Sequence, residues 1–371
     1  MPRPRIAIAH DYLTQRGGAE KVVLALHRAF PEASVHTTLY EPSETYPEFT
    51  GVDVRAGTLN RIKLFRKRHR LALPFLPGAA QRIRVDAQHT IVSSSGWAHG
   101  FQASGSKIVY CHSPARWLYH ADAYLGKSRF GPRAVALALL RAGLKRWDRK
   151  QALSATTYFA NSTVVQQRIR DAYGIDAEVL PAPHSVDIHA VQEAVDIAPL
   201  GQPFYLCISR LLTYKNVDAV VAAFNELRLP LVVVGSGPEQ RRIAAMAGPT
   251  IVMREALSDA QMRWLYDRCR AVVSASYEDF GLTPIEAASF GKPAVVLRWG
   301  GFLDTIKEGE TGEYFDAPEP DAIVDAVNRF QSREWDPEAI KEHAALFSEH
   351  RFAERLHREI ARIDASEADR T

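Results

Sequence analysis

Cysteine is scarce in this chain of 371 residues: there are three, Cys111, Cys207 and Cys269, far apart in the sequence. They are too few and too scattered for a disulfide framework or a thiolate metal site, and they are typical of a reducing compartment. No apolar run approaches the roughly 20 residues that span a bilayer. The first residues enter a strand-like run directly, without the pattern of a signal peptide. We therefore expect a cytoplasmic protein.

Acidic residues are missing from residues 54–85, although the whole chain has a formal net charge of only +3. The basic residues there are Arg55, Arg61, Lys63, Arg66, Lys67, Arg68, Arg70, Arg82 and Arg84, interleaved with Leu59, Ile62, Leu64, Phe65, Leu71, Leu73, Phe75 and Leu76. This pattern predicts either a solvated helix face or a patch on anionic lipid, where each Lys or Arg contributes roughly 1 kcal/mol. Nucleic acid is a third interpretation, but no recognition motif accompanies the charge, so we expect no such partner.

Several ligand motifs are also missing. The chain has no Asp-x-Asp pair, no GxGxxG fingerprint and no Walker lysine, which counts against a P-loop and weakens the case for a dinucleotide site. We expect neither a metal ion nor a cofactor.

Short β-branched runs alternate with helical patterns in both halves, as in parallel sheets built from βαβ units. The pattern predicts strands at residues 6–9, 34–37, 90–93, 107–111, 157–160, 178–180, 204–209, 231–235, 250–253, 271–275 and 294–297. It predicts helices at residues 18–30, 132–153, 217–227, 238–246, 259–268, 284–290, 321–330 and 337–363.

Four prolines between residues 181 and 203 indicate a linker between two domains. We expect an α/β protein with a Rossmann-like N-terminal domain, residues 1–185, a Rossmann-like C-terminal domain, residues 186–345, and a helix, residues 346–371, that packs back on the first. Ligands of two such domains bind where the carboxyl ends of both sheets face a central cleft.

The loop from His10 to Glu20 joins the first strand to the first helix and contains Gly17 and Gly18. Paired glycines at a helix N-terminus let backbone N–H groups approach an anion. The alternative is a tight turn that needs positive φ.

Two carboxylates eight residues apart, Glu278 and Glu286, flank a further loop and helix start. One interpretation is a capping box, with Thr283 as the cap, Pro284 at the first helical position and Glu286 as its partner. In the second interpretation, Glu286 binds the two hydroxyls of a ribose while loop N–H groups face phosphates. Only the second interpretation gives Glu278 a role. We favour the second because of the residues upstream.

Arg210 and Lys215 follow the first predicted strand of the second domain. At the carboxyl end of a strand both cations can reach into a cleft and neutralise a departing diphosphate. Two solvated surface cations are the alternative.

Together these segments resemble the retaining family-4 glycosyltransferases of the GT-B fold, over nearly the whole chain. The resemblance rests on the GGxE-type loop at residues 17–20, CHSP at 111–114, ANS at 160–162, SRLLTYKN at 209–216, GSGP at 235–238, E-x7-E at 278–286 and GGFLDTIKEGETG at 300–312. The N-terminal half is most similar to bacterial mannosyltransferases that build polysaccharides on polyprenyl diphosphate lipids.

The resemblance implies that Arg210 and Lys215 bind the donor diphosphate and that Glu286 holds the ribose. Glu278 and the backbone of Phe280, Gly281 and Leu282 would hold the donor sugar, next to Thr283. His112 would lie near the reacting sugar, with Gly17 and Gly18 near the phosphates or the acceptor. The expected activity is retaining, metal-independent transfer of a hexose, with mannose from GDP-mannose the first choice, to a glycan or lipid-linked acceptor. A sugar-nucleotide epimerase or hydrolase, or a non-catalytic nucleotide-sugar-binding protein, remains an alternative.

Overall fold

The computed structural model describes residues 5–72, 75–119, 132–200 and 203–369. It divides the chain into two compact units, of which unit 1 comprises Met1–Pro183 with Glu349–Thr371 and unit 2 comprises His184–Ser348. The predictions at Leu73 and at residues 201–202 lie outside the described residues, as do the side chain of Arg70 and those of residues 132–140.

Unit 1 is built on a seven-stranded sheet in the order β3-β2-β1-β5-β7-β8-β9, with all neighbours parallel. Every residue of β5 and β7 is buried, as expected for strands of a parallel sheet with both faces covered. Two short strands, β4 and β6, pair separately. The strands are β1 (Ile6–His10), β2 (Val35–Thr37), β3 (Val54–Ala56), β4 (Arg84–Val85), β5 (His89–Ser94), β6 (Gln102–Ala103), β7 (Ser106–Cys111), β8 (Thr157–Ala160) and β9 (Glu178–Val179).

The helices of unit 1 are Gly18–Ala29, Lys63–Lys67, Leu76–Ala80, Arg116–Tyr119, Pro132–Ala152, Thr163–Tyr173 and Glu349–Ala368, with 3-10 turns at Pro47–Gly51, Thr58–Arg61, His69–Ala72 and Ala98–Gly100. The helix Thr163–Tyr173 is not among those that the sequence pattern predicts. The sequence does contain a signal for the start of this helix, since serine is a favoured N-cap residue. The Ser162 hydroxyl accepts a hydrogen bond from the Val165 N–H and caps the helix.

Unit 2 has a six-stranded parallel sheet in the order β12-β11-β10-β13-β14-β15. Its strands are β10 (Phe204–Ile208), β11 (Leu231–Val234), β12 (Ile251–Arg254), β13 (Cys269–Ser274), β14 (Ala294–Leu297) and β15 (Gly312–Phe315). Its helices are Val217–Leu227, Gln240–Met246, Asp259–Arg268, Leu282–Ala288, Phe302–Thr305, Pro320–Gln331 and Pro337–Ala345, with a 3-10 turn at Thr213–Lys215. The prediction of two α/β units with parallel sheets is confirmed.

The single helix predicted at residues 337–363 is wrong, because the chain forms two helices there, Pro337–Ala345 and Glu349–Ala368. The second helix packs on the unit 1 sheet. Its Phe352 meets the ring of Tyr110 edge-on at 5.2 Å, and its Glu359 accepts a hydrogen bond from Thr157. Apolar burial and charged contacts therefore both fix this helix to unit 1. Among the described helices of the whole chain, none has the length and apolar character needed to cross a membrane.

Candidate functional site

The strand order of the unit 2 sheet reverses between its two central strands, β10 and β13. From β10 the chain proceeds outward through β11 and β12 on one side, and from β13 through β14 and β15 on the other. The loops that leave the carboxyl ends of β10 and β13 therefore separate to opposite sides and leave a crevice, which is where open α/β sheets bind ligands. The segment after β10 contains Arg210 and Lys215, and the segment after β13 contains Glu278.

Lys215 and Glu278 form an ion pair across this crevice, with the ammonium group donating to Oε1 of the carboxylate. The Lys215 side chain is 8% exposed and that of Glu278 is 29% exposed. The ammonium group also lies 5.0 Å from the centre of the Tyr214 ring. The sequence predicted both residues in one site, but not that they would contact each other.

Arg210 is the exposed cation of the same loop. Its guanidinium donates a hydrogen bond of 3.3 Å to the Tyr214 hydroxyl. Tyr214 therefore contacts both cations and helps to set their spacing. The predicted Arg/Lys pair is brought together in one loop, with one member solvated and the other buried.

Hydrogen bonds join the two loops. Nδ2 of Asn216 donates to the carbonyl of Ala275 over 2.9 Å, and the Gly301 N–H donates to the carbonyl of Glu278 over 3.0 Å. A third loop, which follows β11, is joined to the loop after β10, because the Leu211 N–H donates to the Ser236 carbonyl at 2.9 Å. The glycine-containing segments predicted from sequence thus support the loops that carry the charged residues.

The helix after Glu278 begins earlier than the capping-box interpretation requires. It spans Leu282–Ala288, and its N-cap is Gly281, whose φ of 83° is left-handed. No side chain caps it. The assignments of Thr283 as the cap and Pro284 as the first helical residue are therefore wrong. Glycine fits here because it tolerates this φ and because a Cβ would lie 2.4 Å from the Phe302 ring.

Glu286 lies in the middle of this helix and is almost fully buried. Its Oε2 accepts a hydrogen bond of 2.7 Å from the Tyr266 hydroxyl. Burial, with the neighbouring Glu286 carboxylate, raises the pKa of Tyr266 well above its usual value, so the phenol remains a donor. Sequence reasoning missed Tyr266. With no capping box, Glu286 is a carboxylate held in place by a buried phenol.

Unit 1 places a second group of polar residues at the carboxyl end of its own central strands. The Ser93 hydroxyl lies 2.8 Å from Nε2 of His112 and 3.1 Å from Nδ1 of His10. One hydroxyl therefore links the end of β1 to the residue that follows β7. Sequence reasoning proposed His112 but missed Ser93, although a serine at the end of a buried central strand was a visible signal.

The Gly17–Gly18 segment starts the first helix with an extended backbone. Gly17 is the N-cap of Gly18–Ala29, with φ −135°. The alternative of a turn that needs positive φ is therefore wrong. A Cβ on Gly17 would lie 2.6 Å from Oε2 of Glu20, so the glycine makes room for a buried carboxylate. Burial raises the pKa of Glu20, and that oxygen has no hydrogen-bond partner within the described part of the chain.

Asp11, beside His10, has a structural role. Its carboxylate accepts hydrogen bonds from the backbone N–H groups of Trp97, at 2.9 Å, and Ala98, at 2.7 Å. It thereby fixes the loop after β5. In residues 5–72, 75–119, 132–200 and 203–369, no group of three or more His, Cys, Asp or Glu side chains is arranged to hold a metal ion.

Two parallel-sheet α/β units with polar loops at their carboxyl ends form the GT-B class of fold. A solved structure of this class is Anabaena Alr3699/HepE in complex with UDP and glucose, which has a TM-score of 0.65 and 16% identity to this chain, with 96% of this chain and 99% of that chain covered.

The family models agree with the fold. The model described as Glycosyltransferase Family 4 matches residues 16–189, and the model described as Glycosyl transferases group 1 matches residues 192–347. The chain therefore belongs to the family-4 glycosyltransferases, and its relatives include mannosyltransferases.

Two curated relatives illustrate this similarity. The O-antigen chain mannosyltransferase C of Escherichia coli is 30% identical over 163 residues, which are 42% of this chain and 43% of that protein. The GDP-mannose-dependent alpha-(1-6)-phosphatidylinositol monomannoside mannosyltransferase of Mycolicibacterium smegmatis is 28% identical over 193 residues, which are 45% of this chain and 50% of that protein. The chain spans about half the length of these relatives.

Proposed function

We propose that this protein is a retaining glycosyltransferase that moves a hexose from a nucleoside diphosphate donor to a glycan or lipid-linked acceptor. The observation that carries the proposal is the convergence of Arg210, Lys215, Glu278 and Glu286 on the loops and helix next to the strand reversal of unit 2. Two cations, one carboxylate at the crevice and one buried carboxylate together suit a ligand that has a diphosphate and hydroxyl groups.

On the donor side, Arg210 is exposed and has no ion pair among the described residues that a phosphate oxygen would have to displace. Lys215 supplies a second positive charge, for which the donor diphosphate would compete with the paired Glu278 carboxylate. The backbone from Phe280 to Thr283 leads into the helix Leu282–Ala288, and backbone N–H groups at a helix N-terminus favour an anion or a sugar hydroxyl. Glu286 would accept hydrogen bonds from the ribose hydroxyls, with Tyr266 holding the carboxylate in position.

In unit 1, we assign the acceptor and the reacting sugar to the loops that contain His112, Gly17 and Gly18. The Ser93 hydroxyl orients the imidazole of His112. Gly18 is exposed at the helix N-terminus and leaves the backbone accessible. These residues would bind and orient the acceptor rather than form a bond to it.

The reaction we propose is a front-face substitution. The bond from the anomeric carbon to the diphosphate oxygen breaks, and the acceptor oxygen forms a bond to that carbon from the same side. The departing diphosphate oxygen takes the acceptor proton. The protein stabilises the negative charge through Arg210 and Lys215 and orients both substrates. Because two cations already meet the phosphates, we expect turnover to persist in EDTA, and strict dependence on Mg²⁺ or Mn²⁺ would contradict this mechanism.

GDP-mannose is our first choice of donor, since one of the similar proteins is named as GDP-mannose-dependent and both similar proteins are mannosyltransferases. The test is a thermal-shift screen with GDP, UDP, dTDP and ADP sugars, because a ligand at 100 times its Kd stabilises the folded state by about 2.7 kcal/mol. Nucleotide release that requires an acceptor supports transfer. Release without an acceptor indicates a hydrolase, and interconversion of the sugar without transfer indicates an epimerase. Binding with no turnover indicates a binding protein.

We also propose a peripheral position at an anionic membrane, on the basis of the segment of unit 1 around Lys63–Lys67. Four of its large apolar side chains are exposed: Ile62, Leu64, Leu71 and Phe75. Arg61, Lys63, Lys67 and Arg68 are exposed beside them. One of the similar proteins is named for a phosphatidylinositol acceptor, which suits an enzyme that works on lipid-linked sugars.

Two side chains of this segment, Arg66 and Phe65, are less accessible than their places in the basic and apolar pattern suggest. Arg66 is not a free surface charge, because its guanidinium donates to Glu41 at 3.0 Å and to the Asn60 carbonyl at 2.6 Å. That contact lowers the pKa of Glu41. Phe65 is half-buried and stacks on Phe75 at 5.8 Å, so it is a poor insertion point.

A further inference from the structure

A cavity of about 660 Å³ lies at the amino-terminal end of the unit 1 sheet. Lys107, the second residue of β7, lines it, whereas His112 follows the carboxyl end of the same strand. Because the strands are parallel, the cavity is at the opposite end of the sheet from the loops that we assign to the acceptor. The cavity is within the range of about 300–1,000 Å³ that holds small ligands.

Three cations and three amides line this cavity: Arg84, Lys107, Lys150, Gln81, Gln102 and Gln151. No Asp or Glu occurs among the described residues that line it. The described lining therefore carries positive charge and no acidic side chain. Amide side chains supply further donors and acceptors, which suits a ligand with a polar body as well as a negative charge.

Lys107 is an unusual member of the lining because it is 6% exposed. Its ammonium group donates to the carbonyl of His99 at 2.8 Å and to the hydroxyl of Ser154 at 3.0 Å. Both acceptors are neutral, and no ion pair of Lys107 is found in the described part of the chain. Removing an ammonium group from water without an opposite charge is costly. This burial lowers the pKa of Lys107 to about 8.

We propose that this cavity binds a small organic phosphate. A phosphate dianion would give the buried Lys107 the opposite charge that no carboxylate of the described residues supplies, and Arg84 and Lys150 would contact the remaining phosphate oxygens. The guanidinium of Arg84 has the planar geometry that suits phosphate. The amides would hydrogen-bond the hydroxyl groups of the ligand.

Binding here would connect separate parts of unit 1. Arg84 is in the short strand β4, which pairs with β6, and Lys150 is in the last turn of the helix Pro132–Ala152. A shared ligand would hold these elements against β7. The site is thus suited to an effector that stabilises unit 1, separate from the donor residues of unit 2.

The test is calorimetric titration of the full chain with ribose 5-phosphate as the probe, and with ribose as the uncharged control. We expect one equivalent of ribose 5-phosphate to bind the wild type and ribose not to bind. The double variant Arg84→Gln/Lys150→Gln changes only exposed side chains and should weaken binding at least tenfold. Lys107→Met, of similar length and shape, should abolish it. Arg82→Gln, an exposed arginine that does not line the cavity, should leave binding unchanged.

Because the donor site could also bind a phosphate, the titration is repeated with Arg210→Ala. Binding that persists in Arg210→Ala and falls in both cavity variants supports the proposal, even if the donor assignment is wrong. Loss of binding in Arg210→Ala but not in the cavity variants would overturn it. Absence of binding to the wild type at millimolar concentration, or equal binding by all variants, would overturn it as well. Circular dichroism checks that Lys107→Met is folded, and the double variant carries the test if it is not.

Discussion

The ammonium group of Lys215 donates a hydrogen bond to the carboxylate of Glu278, 63 residues further along the chain. The contact joins the loops after β10 and β13, the two central strands at which the order of the unit 2 sheet reverses. A buried cation is thereby kept at the crevice by a carboxylate that is itself partly open to solvent. In the proposed reaction, a diphosphate competes with Glu278 for this cation.

Replacing either cation should slow turnover with little effect on folding. We expect Arg210→Ala and Lys215→Ala each to lower kcat by roughly 10²–10³, the scale observed when one charge-stabilising group is removed from an active site. Steady-state rates with the accepted donor measure this. Lys341→Ala serves as the control, because it removes a half-buried lysine that pairs with Glu338 within the helix Pro337–Ala345, away from the site loops. Near-wild-type rates for both site variants would show that the diphosphate binds elsewhere.

Glu278→Gln should separate product binding from turnover. Removing the negative charge frees Lys215 for phosphate and removes repulsion from the diphosphate, so the nucleoside diphosphate product should bind several-fold more tightly. Turnover should fall, since the proposed contact with the donor sugar is weakened. Calorimetry with the nucleoside diphosphate and initial rates give the two quantities. Weaker product binding would mean that Glu278 positions Lys215 for phosphate instead of competing with it.

The membrane proposal predicts salt-sensitive binding to anionic vesicles. Changing Arg61, Lys63, Lys67 and Arg68 to Ser should greatly reduce co-sedimentation, because each basic residue near the surface contributes roughly 1 kcal/mol. Binding of the wild type should weaken in 1 M salt, where the Debye length is about 3 Å. The matched control is Arg66→Ser, whose side chain is engaged by Glu41 and should matter little for vesicles. Equal binding of all proteins to neutral and anionic vesicles would leave this segment an ordinary solvated surface.

The buried Lys107 predicts a particular dependence of stability on pH. Its pKa is about 8 in the folded state, against about 10.4 for an unfolded lysine. Between these values the unfolded state binds more protons, so the free energy of unfolding rises with pH.

Lys107→Met removes this contribution. The advantage in stability of Lys107→Met over the wild type should therefore be largest below pH 8 and shrink by on the order of 2 kcal/mol by pH 10. Urea unfolding at several pH values, without phosphate, measures it. The other titratable groups on the surrounding elements, Arg84, Lys150, His99 and Asp148, are the same in both proteins. A difference that does not change with pH would show that Lys107 is solvated.

The sequence predicted those parts of the fold in which local pattern and burial agree. The buried runs of β5, β7, β10, β11 and β14 read as strands because apolar, β-branched residues fill both faces of a parallel sheet. The strand Val54–Ala56 was missed because it is three residues long, with Arg55 and Ala56 exposed, so its sequence contains no burial signal.

The charged residues of the candidate site were also predictable, since their motifs follow strands and precede helices. Their partners were not. The contact of Tyr266 with Glu286 joins two helices, and the contact of Ser93 with His112 joins strand β5 to the residue after β7, so neither has a local signature. The start of the helix Leu282–Ala288 was predicted too late. The Thr-Pro sequence favours a cap at Thr283, whereas Gly281 forms the actual N-cap in a left-handed conformation.

The division of the chain has a consequence for its synthesis and dissection. Unit 1 is interrupted by unit 2, and the helix Glu349–Ala368 that covers Tyr110 is encoded after all of unit 2. Strands β1 to β9 all precede unit 2, so a growing chain leaves the Tyr110 side of this sheet uncovered until that helix emerges. Unit 2 has no such dependence, because its two ends are neighbours: the His184 N–H donates to the Phe347 carbonyl at 3.0 Å. Unit 2 is therefore a compact insertion whose two ends lie side by side, so it could be removed, or exchanged between relatives, as a single domain.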